Sequence, residues 1–307
     1  MFKNRDVISI LDFSDAELEK IFEVSKKMEK TMKKGSSVLK GKILANAFFE
    51  PSTRTRLSFE TAMHKLGGSV IGFTDIEATS IAKGENLADT IRMLDAYADV
   101  IAIRHKVEGA AKLAAEIADA PVINAGDGTK NHPTQAMVDL YTVWKEFGRI
   151  DGLNFVLMGD LRYGRAVASF LYALTKFKPR KIYLVSPPLL KPRKELEEHL
   201  TKSGVNFEIR ENLQDIIQET DVLYVTRIQR ERFPDPAEYE KVKGSYRVDL
   251  ETIKNAKDGM IIMHPLPRVG EIALEVDTHK SARYFQQAAN GVPVRMALLY
   301  LLLEGEK

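Results

Sequence analysis

The sequence contains no cysteine, a single tryptophan and few aromatic residues, 8% in total. The absence of cysteine excludes disulfide bonds, thiolate nucleophiles and Cys-ligated metals, and it suits a reducing compartment. Basic side chains barely outnumber acidic ones, 45 against 43, for a formal charge of +2. Such a balance gives no reason to expect nucleic acid or a membrane surface as a partner. Any basic cluster therefore has to be interpreted from its local setting.

Long apolar runs are also missing. We find no segment near the length of about 20 residues that crosses a bilayer. The first residues, MFKNRDVISILDF, lack the apolar segment of a signal peptide. We therefore expect a cytoplasmic protein without membrane association. At 307 residues and 44% hydrophobic composition, the chain has material for two α/β domains.

What the sequence does contain is a regular alternation of short apolar strands with amphipathic helices. Ser14 and Glu17 form a capping box before a helix predicted over 15–34. The run ILANAFF (43–49) predicts a strand, followed by a helix that we expect Ser52 to cap. Because the alternation continues along the chain, it predicts α/β domains built on doubly wound parallel sheets.

The domain boundary is predicted near Gly148, where a helix ends and a second series of strands begins. This gives an N-terminal domain of residues 1–148 and a C-terminal domain of residues 149–285, followed by a helix from about 286 to 307. Pro293 lacks a backbone donor and is expected to kink or restart that helix. Residues 226–246 form the longest stretch without a predicted element, and such stretches are often functional.

The segment PSTRTR (51–56) stands where a strand ends and a helix begins. Helix N-terminal amides, hydroxyl groups and guanidinium groups together suit a phosphate. Arg104 ends another strand and should point to the same crevice, since ligands bind at the carboxyl ends of parallel strands. The alternative for PSTRTR is an ordinary helix cap with surface arginines. Lys83, taken alone, is typical of a solvated loop lysine.

The segment NAGDGTKNHPTQ (124–135) presents His132 and Gln135 just before a predicted helix. A neutral histidine donor and a side-chain amide suit a carbonyl oxygen and an NH2 group. A lone loop histidine is, however, more often structural or solvated.

The segment GDLRYGRA (159–166) is close to two nucleotide-binding patterns but fits neither. Arg165 and Ala166 replace the Lys and Ser/Thr of a phosphate-binding P-loop, and Leu161 replaces the middle glycine of a dinucleotide-binding turn. What remains is an arginine at a strand-to-helix turn. Arg227 and Gln229 follow a later strand, so that two arginines from separate turns could bind a carboxylate.

HPLPR (264–268) follows the last strand, and the carbonyls of Pro265 and Leu266 lie outside any predicted ladder, where they can accept hydrogen bonds from an amine or amide. For each of these three loops of the second half, an ordinary β-to-α connection is the alternative.

Together these segments, with SIAKGE around Lys83, resemble the aspartate carbamoyltransferase family in order and over essentially the full length. The resemblance implies transfer of the carbamoyl group of carbamoyl phosphate to the α-amino group of L-aspartate, an early step of de novo pyrimidine biosynthesis. It also implies a carbamoyl phosphate domain, an aspartate domain and a last helix that returns to the first domain. No cofactor, metal or covalent enzyme intermediate is expected.

The resemblance also implies a role for individual residues. The phosphate would be held by Ser52, Thr53, Arg54, Thr55 and Arg104. The catalytic donors to the carbonyl oxygen would be Thr55, Arg104 and His132. The carbamoyl NH2 would be held by Gln135 and the carbonyls of Pro265 and Leu266. Aspartate would be bound by Lys83, Arg165, Arg227 and Gln229.

In this family Ser80 and Lys83 come from a neighbouring subunit of a homotrimer, and Glu50 and Arg232 resemble residues that bridge the two domains. The sequence leaves open whether two trimers assemble with regulatory chains. The alternative substrate is ornithine, but that family has a cysteine in an HCLP segment and an SMG loop, and an arginine pair would repel a cationic side chain. A non-catalytic anion-sensing protein is a further alternative, although the matched positions are all retained.

Overall fold

The computed structural model describes residues 2–75, 77 and 79–305. The chain divides into two compact units, residues 1–138 with 290–307, and residues 139–289. The division between the units thus falls ten residues before the predicted boundary at residue 148.

The first half of the chain alternates helices and strands as far as the helix that contains the division. Its elements are α1 (Asp15–Lys34), β1 (Ile43–Phe48), α2 (Arg54–Lys65), β2 (Ser69–Phe73), α3 (Leu87–Asp95), β3 (Val100–His105), α4 (Ala110–Ile117), β4 (Val122–Asp127) and α5 (Pro133–Phe147). The capping box predicted at the start of α1 is confirmed: Ser14 N–H donates to Glu17 Oε2 over 2.9 Å, and Glu17 N–H donates to Ser14 Oγ over 3.2 Å.

The second half continues the alternation around a second set of strands. Its elements are β5 (Asn154–Gly159), α6 (Arg165–Leu174), β6 (Lys181–Val185), α7 (Lys194–Lys202), β7 (Phe207–Arg210), β8 (Val222–Thr226), α8 (Pro236–Val242), α9 (Leu250–Ile253), β9 (Ile261–Met263) and α10 (Tyr284–Glu304). None of the helices in the described ranges combines the length and apolarity needed to cross a membrane.

Both sheets are parallel, as the alternation predicts. The first has the strand order β2-β1-β3-β4 and the second the order β7-β6-β5-β8-β9. In each sheet the winding reverses once, between β1 and β3 and between β5 and β8. Ligands of open α/β sheets bind outside the carboxyl ends of the strands at such a reversal. Each unit therefore offers one such crevice.

The strands beside each reversal are largely buried. Ala45 and Ala47 of β1 pack with Ile101 and Ile103 of β3 in a cluster that also takes in residues of α3 and α4. Every residue of β5 and of β8 is buried. Burial on both faces gives these strands near-continuous apolar sequences. It also fixes the backbone from which the neighbouring turns project.

Two helices of the second half contain proline. α10 runs through Pro293 without a break, and the residues after it, among them Val294, Ala297 and Leu298, are completely buried. Tertiary packing thus outweighs the lost donor. The stretch 226–246, for which no element was predicted, contains α8. Pro236 starts this helix, since Asp235 caps Ala237 N–H over 2.8 Å and proline is favoured in a first helical turn.

Candidate active site

The residues predicted to bind phosphate (the phosphate-type residues) meet at the reversal of the first sheet. Phe48 of β1 and Arg104 of β3 are paired across the sheet. Phe49 N–H then donates to the carbonyl of Arg104 over 2.8 Å. The turn that begins at Pro51 therefore leaves the sheet directly beside Arg104. The structure brings these two sequence features together.

The turn from Pro51 into α2 differs from the prediction in its cap. α2 begins at Arg54, so the cap is Thr53 and not Ser52. Propensity cannot choose between neighbouring hydroxyl residues, which explains the error. Thr53 has helical angles, φ −81° and ψ −61°, and within the described chain its side chain accepts no capping hydrogen bond. The N-terminal amides of α2 are thus not closed off by their own cap, which suits an anion.

The first turn of α2 carries side chains in three different settings. Thr55 is buried and Arg54 is exposed. Arg56 belongs to another face of the helix, where its Nη1 donates to Glu60 Oε1 over 2.8 Å. Of the two guanidinium groups in PSTRTR, Arg56 is therefore an ordinary helix-surface pair, and Arg54 is the candidate anion ligand.

Arg104 is oriented by two groups of the same unit. Its Nη1 donates to the carbonyl of Ala125 over 3.3 Å, and its Nε lies 3.5 Å from Glu50 Oε2. The Arg104 side chain retains 16% of its exposure. A largely buried cation with an outward face is preorganised for an anionic or polarised oxygen.

The segment after β4 is held by a buried aspartate. Asp127 accepts from Asn124 Nδ2 over 2.9 Å and from Gly109 N–H over 2.9 Å. His132 is 5% exposed, and its carbonyl accepts from Gln135 N–H over 3.0 Å. Since β4 lies next to β3, His132 and Gln135 leave the same edge of the sheet as Arg104. A loop fixed in this way can present a histidine donor in a defined position.

Ser80 and Lys83 lie on a short turn that follows β2. They begin and end a short 3-10 helix after β2, the edge strand of the sheet, and both side chains are exposed. Thr79 caps this helix by accepting from Ile81 N–H over 3.3 Å. The turn is thus ordered locally and directed to the outside.

The residues predicted to bind a carboxylate meet at the reversal of the second sheet. Gly159 of β5 pairs with Thr226 of β8. Gly159 has φ +118°, and a Cβ there would lie 2.0 Å from the carbonyl oxygen of Thr226, so glycine is required. Arg165 starts α6 and is 6% exposed, and Arg227 follows Thr226 directly. Two arginines therefore stand after adjacent strands.

Arg227 carries its own internal partner. Its Nη1 donates to Glu231 Oε2 over 3.1 Å, four residues further along the chain. The hydrogen bond and charge of Glu231 raise the pKa of Arg227 above its ordinary value. A substrate carboxylate would have to share or replace Glu231.

Asp160 is a residue that sequence reasoning missed. It is completely buried, and its carboxylate accepts from Tyr163 N–H over 2.8 Å, Arg162 N–H over 3.2 Å and Gln229 N–H over 3.2 Å. Burial raises its pKa, while these backbone donors work in the opposite direction. Asp160 thus ties the turn before Arg165 to the segment that carries Gln229. The signal was an acidic residue at the end of a buried strand.

We predict that Asp160→Asn will weaken aspartate use. The amide oxygen can still accept from the backbone N–H groups of one turn, but the NH2 group faces the backbone N–H of the other turn. An unsatisfied buried group costs about 1–3 kcal/mol. We expect kcat/KM for aspartate to fall roughly 10- to 100-fold by the usual conversion of free energy to rate. Steady-state kinetics with carbamoyl phosphate in excess would measure it. Unchanged kcat/KM in a folded variant would show that the two turns do not need this link.

The HPLPR segment leaves the carboxyl end of β9, next to β8. β9 ends at Met263, so Pro265 and Leu266 lie beyond the ladder. Leu266 has φ +52°, in the left-handed region that side chains with a Cβ rarely adopt. Its N–H donates to His264 Nδ1 over 2.8 Å. The carbonyls that the sequence singled out therefore belong to a constrained turn.

Comparison with known proteins matches this arrangement to one family. The aspartate/ornithine carbamoyltransferase carbamoyl-P binding domain matches residues 5–145, and the Asp/Orn binding domain of the same family matches residues 151–302. The chain belongs to the aspartate/ornithine carbamoyltransferase family. The resemblance found in the sequence motifs is thereby confirmed.

Curated relatives in the family are similar over their whole length. The aspartate carbamoyltransferase catalytic subunit of Pyrobaculum islandicum is 60% identical over 304 residues, which cover 99% of this chain and all of the relative. That of Hyperthermus butylicus is 62% identical over 304 residues, covering 98% and 96% of the two chains.

Solved structures of the family share the fold. The catalytic subunit of M. jannaschii aspartate transcarbamoylase has a TM-score of 0.90 and 52% identity, with 98% of each chain covered. Aspartate transcarbamoylase from Trypanosoma cruzi, in complex with carbamoyl phosphate and aspartate, has a TM-score of 0.94 and 38% identity, again with 98% of each chain covered. The two-sheet fold predicted from the sequence is confirmed.

Proposed function

We propose that the chain is an aspartate carbamoyltransferase, which forms N-carbamoyl-L-aspartate and phosphate from carbamoyl phosphate and L-aspartate. One observation carries the proposal: the reversal of one sheet holds the phosphate-type residues, and the reversal of the other holds Arg165 and Arg227. Relatives about 60% identical over the full chain carry the same activity in their names. The reaction would serve pyrimidine synthesis in the cytoplasm.

Carbamoyl phosphate is assigned to the first unit. Ser52, Thr53, Arg54 and Thr55 would bind the phosphate through hydroxyl groups, a guanidinium group and the N-terminal amides of α2, together with Arg104. Charge-assisted hydrogen bonds to phosphate are roughly twice as strong as neutral ones. The resulting neutralisation makes phosphate a better leaving group.

The transfer itself needs polarisation of the carbamoyl carbonyl. The amine lone pair of aspartate attacks the carbonyl carbon, the C–O bond to phosphate breaks, and the nitrogen loses a proton to the departing phosphate. Negative charge builds on the carbonyl oxygen, which Thr55, Arg104 and His132 would stabilise by donation. Gln135 and the carbonyls of Pro265 and Leu266 would hold the NH2 group. No covalent bond to the enzyme is required.

Aspartate is assigned to the second unit. Arg165 and Arg227 would bind its two carboxylates, with Gln229 as a further donor. A carboxylate gains from the paired arginines, whereas the ammonium side chain of ornithine would be repelled. Glu50 and Arg232 would link the two halves once both substrates are bound.

We also propose a homotrimer in which a neighbouring subunit supplies Ser80 and Lys83. The exposed 3-10 helix that carries them extends from the edge of its own sheet, which supports this assignment. Lys83 would add a third cation beside the aspartate carboxylates. Each site is then complete only on assembly, a property that mixed trimers can test.

Mixing Arg54→Ala chains with Lys83→Ala chains is expected to restore carbamoyl aspartate formation. Each variant alone should be nearly inactive, whereas a mixed trimer contains a site that draws an intact Arg54 from one chain and an intact Lys83 from the next. The wild-type chain gives the reference rate, and native mass spectrometry gives the share of mixed trimers. Mixed trimers without activity would contradict the shared site.

A further inference from the structure

His264 is a buried histidine for which the substrate assignments have no role. It is 1% exposed, and its backbone N–H donates to Gln287 Oε1 over 2.8 Å. Its Nδ1 accepts from Leu266 N–H over 2.8 Å, and its Nε2 lies 2.6 Å from Glu271 Oε1. Because Nδ1 is an acceptor, the ring proton must be on Nε2, where Glu271 accepts it. One tautomer therefore satisfies all three contacts.

The surroundings keep this ring neutral. Burial lowers the pKa of His264, the charge and hydrogen bond of Glu271 act to raise it, and the cations Arg227 and Arg268 lower it further. A proton on Nδ1 would also set two donors against each other, since Leu266 N–H already points there. The acceptor role of Nδ1 is thus built into the site.

Further buried hydrogen bonds fix the backbone of His264. Gln287, which accepts from His264 N–H, donates its Nε2–H to Asp139 Oδ1 over 2.7 Å. The other oxygen of Asp139 accepts from Tyr224 Oη over 2.9 Å. Asp139 is completely buried and Gln287 nearly so. Buried networks that are satisfied in this way are rigid.

This rigid network supports the peptide between Pro265 and Leu266. At φ +52° the Cβ of Leu266 is crowded, and the following Pro267 has no N–H with which to stabilise the turn. The hydrogen bond from Leu266 N–H to His264 Nδ1 fixes the plane of the Pro265–Leu266 peptide. The Pro265 carbonyl lies in the same peptide plane, so its direction depends on this bond.

We infer that His264 is a positioning residue for carbamoyl transfer, whose Nδ1 holds the Pro265–Leu266 peptide so that the Pro265 carbonyl can accept from the carbamoyl NH2. The inference rests on the proposed function. It assigns the essential contact to Nδ1, and it gives the Nε2–H contact with Glu271 the secondary task of fixing the tautomer. That division makes the inference testable by two variants of similar size.

His264→Asn places an amide oxygen near the position of Nδ1, whereas His264→Gln places its amide near the position of Nε2. We expect His264→Asn to retain kcat within about fivefold and His264→Gln to lose about 100-fold, the scale of a small misplacement in an active site. KM for aspartate and binding of inorganic phosphate should be unchanged in both. Product formation, phosphate titration and thermal unfolding would measure these properties.

Equal activity of the two variants, or a larger loss in His264→Asn, would overturn the inference. An inactive wild-type chain would instead refute the proposed function on which the inference rests. Should His264→Gln not fold, 15N NMR of the wild-type chain decides: the inference requires an unprotonated Nδ1 and a protonated Nε2 at neutral pH. A protonated Nδ1 would overturn it without any variant.

Discussion

Arg54→Ala is expected to lower kcat by about 10³-fold, at the lower end of what an arginine contributes to phosphoryl charge stabilisation. Arg54 opens α2 at the point where the turn from β1 meets the reversal of the sheet. A guanidinium group at this position would bind the phosphate, and its charge counts most as the phosphate leaves. The fold decrease in kcat should therefore exceed the fold increase in KM for carbamoyl phosphate.

Arg56→Ala provides the matched control. It removes the same side chain two residues further along α2, where the guanidinium pairs with Glu60 over 2.8 Å on the helix surface. Such surface pairs contribute about 0–1 kcal/mol to stability. Because such an i,i+4 pair affects helix stability and does not touch a substrate, we expect kcat within about twofold of wild type. Similar losses in both variants would mean that the phosphate is bound elsewhere.

Arg227→Ala is expected to lower kcat/KM for aspartate by about 10³-fold, since loss of one partner of a desolvated charge pair costs 2–5 kcal/mol. Arg227 follows β8 directly beside the turn that leads to Arg165, and is partly buried. KM for carbamoyl phosphate should change little, because that substrate is assigned to the other unit. Initial rates with each substrate varied separately would show the asymmetry.

Arg230→Ala is the control for that variant. Arg230 lies on the same segment, is exposed, and its guanidinium lies 5.8 Å from the centre of the Tyr239 ring. An exposed cation–π contact contributes about 0.5–1 kcal/mol, so aspartate kinetics should be nearly unchanged. If Arg227→Ala behaved like Arg230→Ala, the pairing of Arg227 with a substrate carboxylate would be wrong.

The sequence predicted the parts of the structure that depend on local patterns. α1 begins and ends where its capping box and apolar spacing predict, at Asp15 and Lys34. The run at 43–49 is a strand because it is short, apolar and bounded by turn residues. The reversal of each sheet then follows from strand order, which no local pattern gives. The sequence places Arg104 at a strand end, but only the register places it opposite Phe48.

The residues that escaped prediction act through partners far away in the sequence. Asp160 is defined by its bond to Gln229, 69 positions later, and His264 by its bond to Gln287, 23 positions later. Taken singly, a buried Asp or His has no distinguishing spacing. The helix at Pro236 escaped prediction for another reason, since proline is tolerated in a helix according to its position.

The most direct test supplies the purified wild-type chain with 13C-labelled carbamoyl phosphate and offers L-aspartate or L-ornithine in separate reactions. Product identification by NMR and phosphate release would give each rate, without any added cofactor. The proposed function predicts labelled N-carbamoyl-L-aspartate and phosphate in equal amounts, with ornithine giving a negligible rate. Labelled product from ornithine and none from aspartate would contradict it.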